Sequence, residues 1–323
     1  MDSNLQPKTL QQAILFFAEY ANCHNAVVAI RWPDGVVCCP RCGSEQVTYL
    51  QKARVWKCYG NHPQAKFSLK VGTIFEDSPI PLQKWLPALW LLVNCKNGIS
   101  SYELGRALDV TQKTAWFMLS RLRLALQSKS GGKLGGEVEI DETYIGGKSR
   151  NMHKAVRDRR GISQGTSMAG KVAVMGLLDR HGRGGVSQVR LEVVAGRKRR
   201  HFAPVVEKHV APGSTVHTDS HPSYGQLGSD YVHNVIDHAE AYVRGNVHTN
   251  GCENFWSLLK RAIKGTYVSI EPFHLFRYLD EQSFRFNERH GNDAERFALA
   301  LKGIIGKRLT YVGLTGSELP ETC

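Results

Sequence analysis

The segment Glu137-Val138-Glu139-Ile140-Asp141 alternates polar and apolar residues and ends on an aspartate. A period of two residues is typical of a β-strand with two different faces. Asp219 ends a second strand-like segment, residues 214–219, and Glu253 lies near the start of a helical segment, residues 251–263. We therefore expect folding to bring two strand-borne aspartates and one helix-borne glutamate together.

The order of the predicted elements indicates the fold class. Strands are predicted at 138–144, 171–179, 186–194 and 215–219, with a helix at 201–209, a shorter strand at 231–236 and a final helix at 272–289. Three strands, a helix, a strand and then helices are the order of a ribonuclease-H-like α/β fold, a mixed sheet flanked by helices. This order puts the first and fourth strands side by side, so Asp141 and Asp219 are expected to lie close together.

Each acid also has a structural alternative. The stretch Asn250-Gly251-Cys252-Glu253 has the spacing of a capping box, so Glu253 has a second interpretation as a helix cap. Asp219 precedes residues that favour a turn. Glu139 shares the predicted strand face of Asp141, whereas Glu142 is expected to point away.

The composition predicts a nucleic-acid partner. The chain has 323 residues, 42% of them hydrophobic, which is enough for one large domain and one or two small ones. Its formal net charge is +13 and its pI is about 9.4. A polyanion is the natural partner of such a chain, and nucleic acid is the first candidate.

The hydropathy pattern predicts no membrane segment. No apolar run approaches the roughly 18 residues that a membrane span requires, and the densest run, residues 85–93, contains Pro87. The N-terminal residues do not have the order of a signal peptide. We expect a soluble, cytoplasmic, nucleoid-associated protein whose eight cysteines serve as thiols or metal ligands rather than as disulfides.

Four residues predict a structural zinc site. Cys39-Pro40-Arg41-Cys42 offers two thiolates across a tight turn, and Cys58 with His62 offers a second pair. The strands of this zinc ribbon are predicted at 46–50, 55–58 and 66–71. Cys38 leaves the register ambiguous, Cys23-His24 is an alternative source of a ligand, and unliganded reduced cysteines are the structural alternative.

Residues 99–116 predict a helix-turn-helix. A first helix packs through Leu104 and Leu108, a turn follows at Asp109-Val110, and Thr111 caps the second helix. Polar residues of the second helix are candidates for contact with DNA: Gln112, Lys113 and Arg121. An ordinary helical hairpin with a solvated face is the alternative, and the basic charge favours DNA binding.

Three blocks of the sequence resemble a known family. They are Asp141-Glu142-Thr143-Tyr144-Ile145-Gly146-Gly147-Lys148, then His217-Thr218-Asp219 with Tyr224 and Leu227, and His248-Thr249-Asn250-Gly251-Cys252-Glu253-Asn254-Phe255-Trp256-Ser257-Leu258-Leu259-Lys260-Arg261. These blocks closely resemble the DDE insertion-sequence transposases of the ISXO2-like, Merlin-related group, which combine an N-terminal zinc ribbon with a ribonuclease-H-like catalytic domain.

The resemblance implies roles for individual residues. Asp141, Asp219 and Glu253 are implied to be the catalytic acids that bind two Mg²⁺ or Mn²⁺ ions, and Lys260 and Arg261 to contact DNA. In the ribbon the chain departs from the pattern, since Cys58 and His62 stand where many relatives carry a second Cys-x-x-Cys.

The domain organisation follows from these segments. We expect a helical segment at 1–34, the zinc ribbon at 35–78, the helix-turn-helix at 79–127, a linker at 128–136, the catalytic domain at 137–292 and a C-terminal tail at 293–323.

The expected function is strand cleavage and strand transfer at transposon ends. The expected partners are the terminal inverted repeats and target DNA, bound by a homodimer or a larger assembly. The alternatives are a metal-dependent nuclease that does not join strands and a catalytically inactive DNA-binding regulator.

Overall fold

The structure of the chain, a computed structural model, describes residues 7–127, 132–147, 153–159, 170–196, 198–220, 224, 230–236 and 247–316. The chain divides into two units, one of residues 1–127 with 290–323 and one of residues 128–289. The predicted linker, 128–136, falls partly outside the described residues.

The first unit begins with two helices and a small sheet. Helices α1 (Leu10–Ala18) and α2 (Tyr20–Arg31) precede the strands β1 (Val47–Leu50), β2 (Val55–Cys58) and β3 (Lys66–Ser68). The three strands pair antiparallel in the order β1-β2-β3. Trp56 is the buried centre of this module, because its ring stacks on those of His24 and Phe67.

The predicted helix-turn-helix is present in the first unit. Helices α3 (Leu82–Asn94), α4 (Ser101–Leu108) and α5 (Gln112–Leu126) follow the small sheet. Ser100 and Glu103 form a capping box at the start of α4, and Asp109 takes a left-handed backbone conformation that ends the helix. The Thr111 side chain accepts from the backbone N–H of Thr114 and caps α5, as the sequence predicts.

The second unit is built on a five-stranded mixed sheet. Its strands are β4 (Glu137–Ile145), β5 (Val172–Asp179), β6 (Gln188–Val194), β7 (Thr215–Asp219) and β8 (Val232–Ile236), in the order β6-β5-β4-β7-β8. The strand β4 pairs antiparallel with β5 and parallel with β7. The ribonuclease-H-like sheet predicted from the sequence is confirmed, with its first and fourth strands adjacent.

Helices cover both faces of this sheet because β5 has buried apolar side chains on both, with Met175 on one face and Val174 on the other. Its α-helices among the described residues are α6 (Lys154–Arg159), α7 (Arg199–His209), α8 (Asn250–Ala262) and α9 (Leu275–Asn287). On one face Val138 and Ile140 share a buried cluster with Phe202 of α7. On the other face Val174 packs with Phe255 of α8.

The C-terminal residues correct one prediction. The segment 293–323, predicted to be a tail, contains α10 (Asp293–Lys302) and α11 (Tyr311–Thr315) and belongs to the first unit. The Phe297 ring is buried and lies 5.4 Å from the Phe17 ring and 5.2 Å from the Trp90 ring, centroid to centroid. An apolar helix face packed in this way is part of the core, not a tail.

Among the described residues, no single helix has both the length and the apolar character to cross a membrane. Only α1 and α2 taken together meet that test of length and composition, and these two helices meet at a bend of 102°.

Candidate active site

The parallel pairing of β4 with β7 brings Asp141 and Asp219 together. Glu137 lies opposite Thr215 and Glu139 opposite His217, so the same register carried two residues further sets Asp141 opposite Asp219. Asp141 is the central residue of β4 and Asp219 is the last residue of β7, and both are half-buried. The sequence prediction that these two carboxylates meet is borne out by the geometry, since one oxygen of each lies within 4.8 Å of the other.

Glu142 joins the two aspartates, which the strand alternation did not predict. One carboxylate oxygen from each of Asp141, Glu142 and Asp219 lies within 4.8 Å of the others. The neighbouring Ile140 and Tyr144 pack on the α7 side of the sheet, so the strand face of Glu142 was predicted correctly. Its longer side chain nevertheless brings a carboxylate oxygen into the acidic group.

Tyr224 holds the Glu142 carboxylate in place. The Tyr224 hydroxyl donates to Glu142 Oε2 at 2.7 Å, and the tyrosine side chain is fully buried. Burial raises the pKa of Tyr224 well above its usual value of 10, so the phenol stays protonated and remains a donor. The signal available in the sequence was Tyr224 itself, five residues after Asp219, but nothing in its spacing pointed to Glu142.

The Asp141 carboxylate has a fixed partner on each oxygen. Asp141 Oδ1 accepts from the backbone N–H of Glu142 at 2.8 Å, and Oδ2 accepts from the indole N–H of Trp256 at 2.8 Å. Burial raises the pKa of Asp141 to about 6 although these two hydrogen bonds lower it, and the charges of Glu142 and Asp219 raise it further. Trp256 is a core residue that also reaches the site.

Glu139 links β4 to α8 and is not a member of the acidic group. Its side chain is 1% exposed. Arg180 Nε donates to Glu139 Oε1 at 2.8 Å, and the backbone N–H of Cys252 donates to Glu139 Oε2 at 3.0 Å. Gly251 permits this approach, because a Cβ there would lie 2.8 Å from Glu139 Oε2. The buried carboxylate therefore anchors the first turn of α8, and no sequence pattern pointed to Arg180 as its partner.

Glu253 is exposed in the first turn of α8. It follows Cys252, which bonds to Glu139, and precedes by one turn Trp256, which bonds to Asp141. Glu253 is not a member of the group of acids that lie within 4.8 Å of one another among the described residues. The capping-box alternative does not describe this helix start, since Thr249 is the N-cap and makes no side-chain capping hydrogen bond.

Two basic residues of α8 lie at the surface. Lys260 and Arg261 are exposed in the last turn of the helix, while Phe255, Trp256 and Leu259 face the sheet. Lys260 therefore shares the exposed side of α8 with Glu253. Its predicted contact with DNA phosphate stays a prediction.

The acidic group suits a hard divalent cation. Its donors are carboxylate oxygens from Asp141, Glu142 and Asp219, which are the ligand type that Mg²⁺ and Mn²⁺ prefer. Three half-buried acids so close together also repel one another, and a cation relieves that repulsion.

The four predicted zinc ligands converge in the first unit. Ligand atoms of Cys39, Cys42, Cys58 and His62 all lie within 4.8 Å of one another. Cys42 Sγ is 3.6 Å from Cys58 Sγ, and Cys39 Sγ is 3.5 Å from His62 Nε2. Such separations are those of a tetrahedron around an ion with Zn–S bonds of about 2.3 Å.

The alternative ligands lie elsewhere. Cys23 is fully buried, and its thiol donates to the backbone carbonyl of Phe17 at 3.2 Å. Cys38 is half-buried and is not part of the four-residue group.

Burial raises the pKa of the Cys39 thiol, but hydrogen bonds from the backbone N–H groups of Arg41 and Cys42 lower it to a net value of about 7. That value favours the thiolate, which is the form that binds metal.

Two of the three residues of the helix-turn-helix that were predicted to contact DNA lie at the surface. Gln112 and Lys113 are exposed at the start of α5. The DNA-contacting role predicted for Arg121 does not fit the structure, because Arg121 is only 4% exposed. Its guanidinium donates to the backbone carbonyls of Ile74 and Glu76 at 3.0 and 2.7 Å and so stabilises the chain that leads out of the ribbon.

Comparison with known proteins gives matches to both units. Residues 133–287 match the model of the ISXO2-like transposase domain, a range that contains all three predicted catalytic acids. Residues 21–60 match the transposase zinc-ribbon domain, which includes Cys39, Cys42 and Cys58 and ends before His62. A protein in transposable element ISH50 of Halobacterium salinarum is 30% identical over 246 residues, which cover 73% of this chain and 81% of that protein.

We expect the purified protein to contain about one zinc ion per chain. Replacement Cys42→Ser removes one of four converging ligands, so it should lower both the zinc content and the unfolding temperature. Elemental analysis and thermal unfolding measure the two effects. Cys38→Ser is the matched control, since this neighbouring thiol lies outside the group and should leave both unchanged; equal zinc loss in the two variants would contradict the assignment.

We expect the affinity of the acidic group for Mn²⁺ to fall as the pH drops below about 6, the pKa of Asp141. Metal and proton compete for the same carboxylate, so protonation weakens binding by about tenfold for each pH unit below the pKa. Calorimetric titration across this range measures the effect. Asp141→Asn, which has no proton to lose at this position, should bind weakly at every pH. An affinity of the wild type that is constant down to about pH 5 would contradict the assignment.

Proposed function

This chain belongs to the ISXO2-like transposase family, and from that premise we propose that it cleaves DNA at the ends of a mobile element and joins the freed 3′-hydroxyl to target DNA. The observation that carries the proposal is the placement of Asp141 and Asp219 at matching positions of adjacent parallel strands, with carboxylate oxygens within 4.8 Å. A compact acidic group in a chain of net charge +13 suits an enzyme that acts on a polyanion.

Asp141, Asp219 and Glu253 are the acids that we propose hold two Mg²⁺ or Mn²⁺ ions. When bound, such ions stabilise the negative charge that develops on the attacking and leaving oxygens of a phosphodiester. The protein's own contribution is to hold the carboxylates in a fixed arrangement. Asp141 receives a hydrogen bond on each oxygen, and Glu142 is held by Tyr224.

The place of Glu253 in α8 supports its inclusion among the metal-binding acids. The helix contacts β4 through Cys252 and through Trp256, at Glu139 and Asp141. Glu253 lies between these two contacts, in the turn of α8 that passes the acidic group.

We propose that exposed basic and polar residues bind the DNA. Lys260 and Arg261 are placed to meet phosphates close to the reacting bond, because they follow Glu253 on the exposed side of the same helix. Gln112 and Lys113 are placed to contact a groove or the DNA backbone from the start of the second helix of the helix-turn-helix. With the zinc ribbon, this helix-turn-helix is proposed to recognise terminal inverted repeats, and joining two ends calls for a homodimer or a larger assembly.

The same acids would serve a nuclease that cuts DNA without joining it. Family membership favours strand transfer, since cleavage alone does not move an element. A catalytically inactive regulator is disfavoured by the two aspartates, whose carboxylates meet as metal chemistry requires.

We expect joined products from labelled DNA ends with Mg²⁺ or Mn²⁺, and we expect Asp141→Asn, Asp219→Asn and Glu253→Gln each to remove them. The loss should exceed the roughly 10- to 100-fold cost of removing a residue that only supports a metal ligand. A strand-transfer assay on gels measures the products. Glu207→Gln is the matched control, because this exposed glutamate of α7 lies in the same unit outside the acidic group.

Other outcomes separate the alternatives. Cleavage without joining would establish the nuclease instead, and DNA binding without chemistry in the wild type would establish the regulator. Glu142→Gln decides which glutamate is the third catalytic acid: if it removed the products while Glu253→Gln kept them, the third catalytic acid would be Glu142.

A further inference from the structure

Trp256 packs against the sheet at a position where β5 has a glycine. The residue is 4% exposed on the side of α8 that faces β5. Its indole ring lies against Gly176, where a Cβ would be 2.6 Å from indole Cζ2 and 2.7 Å from Cη2. No side chain fits at residue 176 without moving the ring, so the glycine is required by this close approach.

Gly176 is also the strand partner of Asp141. The two residues lie opposite each other in the antiparallel pairing of β4 with β5. Because the ring rests on Gly176, its N–H points along the sheet to Asp141 Oδ2 at 2.8 Å. Two strands and a helix are therefore joined at one point by contacts among Gly176, Asp141 and Trp256.

The N–H group is the part of Trp256 that packing does not explain. The surrounding core is apolar, with Phe255 and Leu259 from the same helix and Leu178 from β5. A phenylalanine ring fills such a core without a polar atom. The indole N–H, in contrast, bonds to the acid that the pairing with β7 places opposite Asp219.

We propose that Trp256 is a positioning residue for the metal-binding acids. Its N–H fixes the orientation of the Asp141 carboxylate, whose other oxygen is fixed by the backbone N–H of Glu142. It also ties the helix that carries Glu253 to the strand that carries Asp141. The proposal rests on the proposed function to the extent that these acids bind a divalent cation.

The variant Trp256→Phe tests this role, because it removes the N–H and keeps an aromatic ring. Mn²⁺ binding to the zinc-loaded full-length protein is measured by calorimetry at neutral pH, with binding to Asp141→Asn subtracted. We expect the affinity to fall about 10- to 100-fold, which is the usual effect of losing a group that orients a metal ligand.

Two further variants separate positioning from packing. Phe255→Leu alters the neighbouring buried ring of the same helix, so it should lower the unfolding temperature and leave the Mn²⁺ affinity unchanged. Gly176→Ala keeps the indole but displaces it, so it should reproduce the loss of affinity. If Trp256→Phe does not fold, Gly176→Ala tests the positioning role in its place.

The outcomes distinguish this proposal from the proposed function. Wild-type Mn²⁺ affinity in folded Trp256→Phe would overturn the positioning role while leaving the metal site intact. Equal loss of affinity in Phe255→Leu and Trp256→Phe would also overturn it, since packing would then explain both. Wild-type protein that binds Mn²⁺ no better than Asp141→Asn would overturn the metal site and the positioning role together.

Discussion

The parallel pairing of β4 with β7 is the constraint on which the site depends. Asp141 and Asp219 are 78 residues apart in the sequence, and they come together because Glu139 lies opposite His217 and each aspartate follows two residues later. A shift of one residue would turn one of the two side chains to the other face of the sheet. The apolar alternation on β4 protects the register, because Val138 and Ile140 must stay on the buried α7 side. The same packing that stabilises the sheet therefore also aligns the acids.

A buried ionic network fixes the third element of the site to this pair of strands. Arg180 bridges Glu137 and Glu139 and donates to the carbonyl of His248, directly before α8. Glu139 in turn accepts the N–H of Cys252. Removing one member of a buried ion pair costs about 3–5 kcal/mol, because the remaining charge stays desolvated. Charged residues in this core thus specify where α8 begins, and with it the position of Glu253.

The sequence predicted the bounds of several strands and helices well, but it predicted poorly which partners individual side chains contact. The strand containing Asp219 was predicted at its observed bounds, and the helix containing Glu253 within one residue. The four converging zinc ligands also followed from spacing, because short loops keep them near one another. Arg121 and Glu142 were misjudged for a different reason: their positions depend on partners distant in sequence, the carbonyls of Ile74 and Glu76 and the hydroxyl of Tyr224. The helices of residues 293–316 were missed because the helices on which their apolar faces pack are distant in sequence.

We propose that the pairing of β4 with β7 creates a metal-binding acidic site. Its most direct test is an anomalous-scattering map from crystals grown with Mn²⁺. We expect a peak within coordination distance of carboxylate oxygens of both Asp141 and Asp219, with Glu253 as a further ligand when DNA is bound. An ordered Asp141–Asp219 pair with no peak between the carboxylates, at an Mn²⁺ concentration that supports strand transfer, would contradict it.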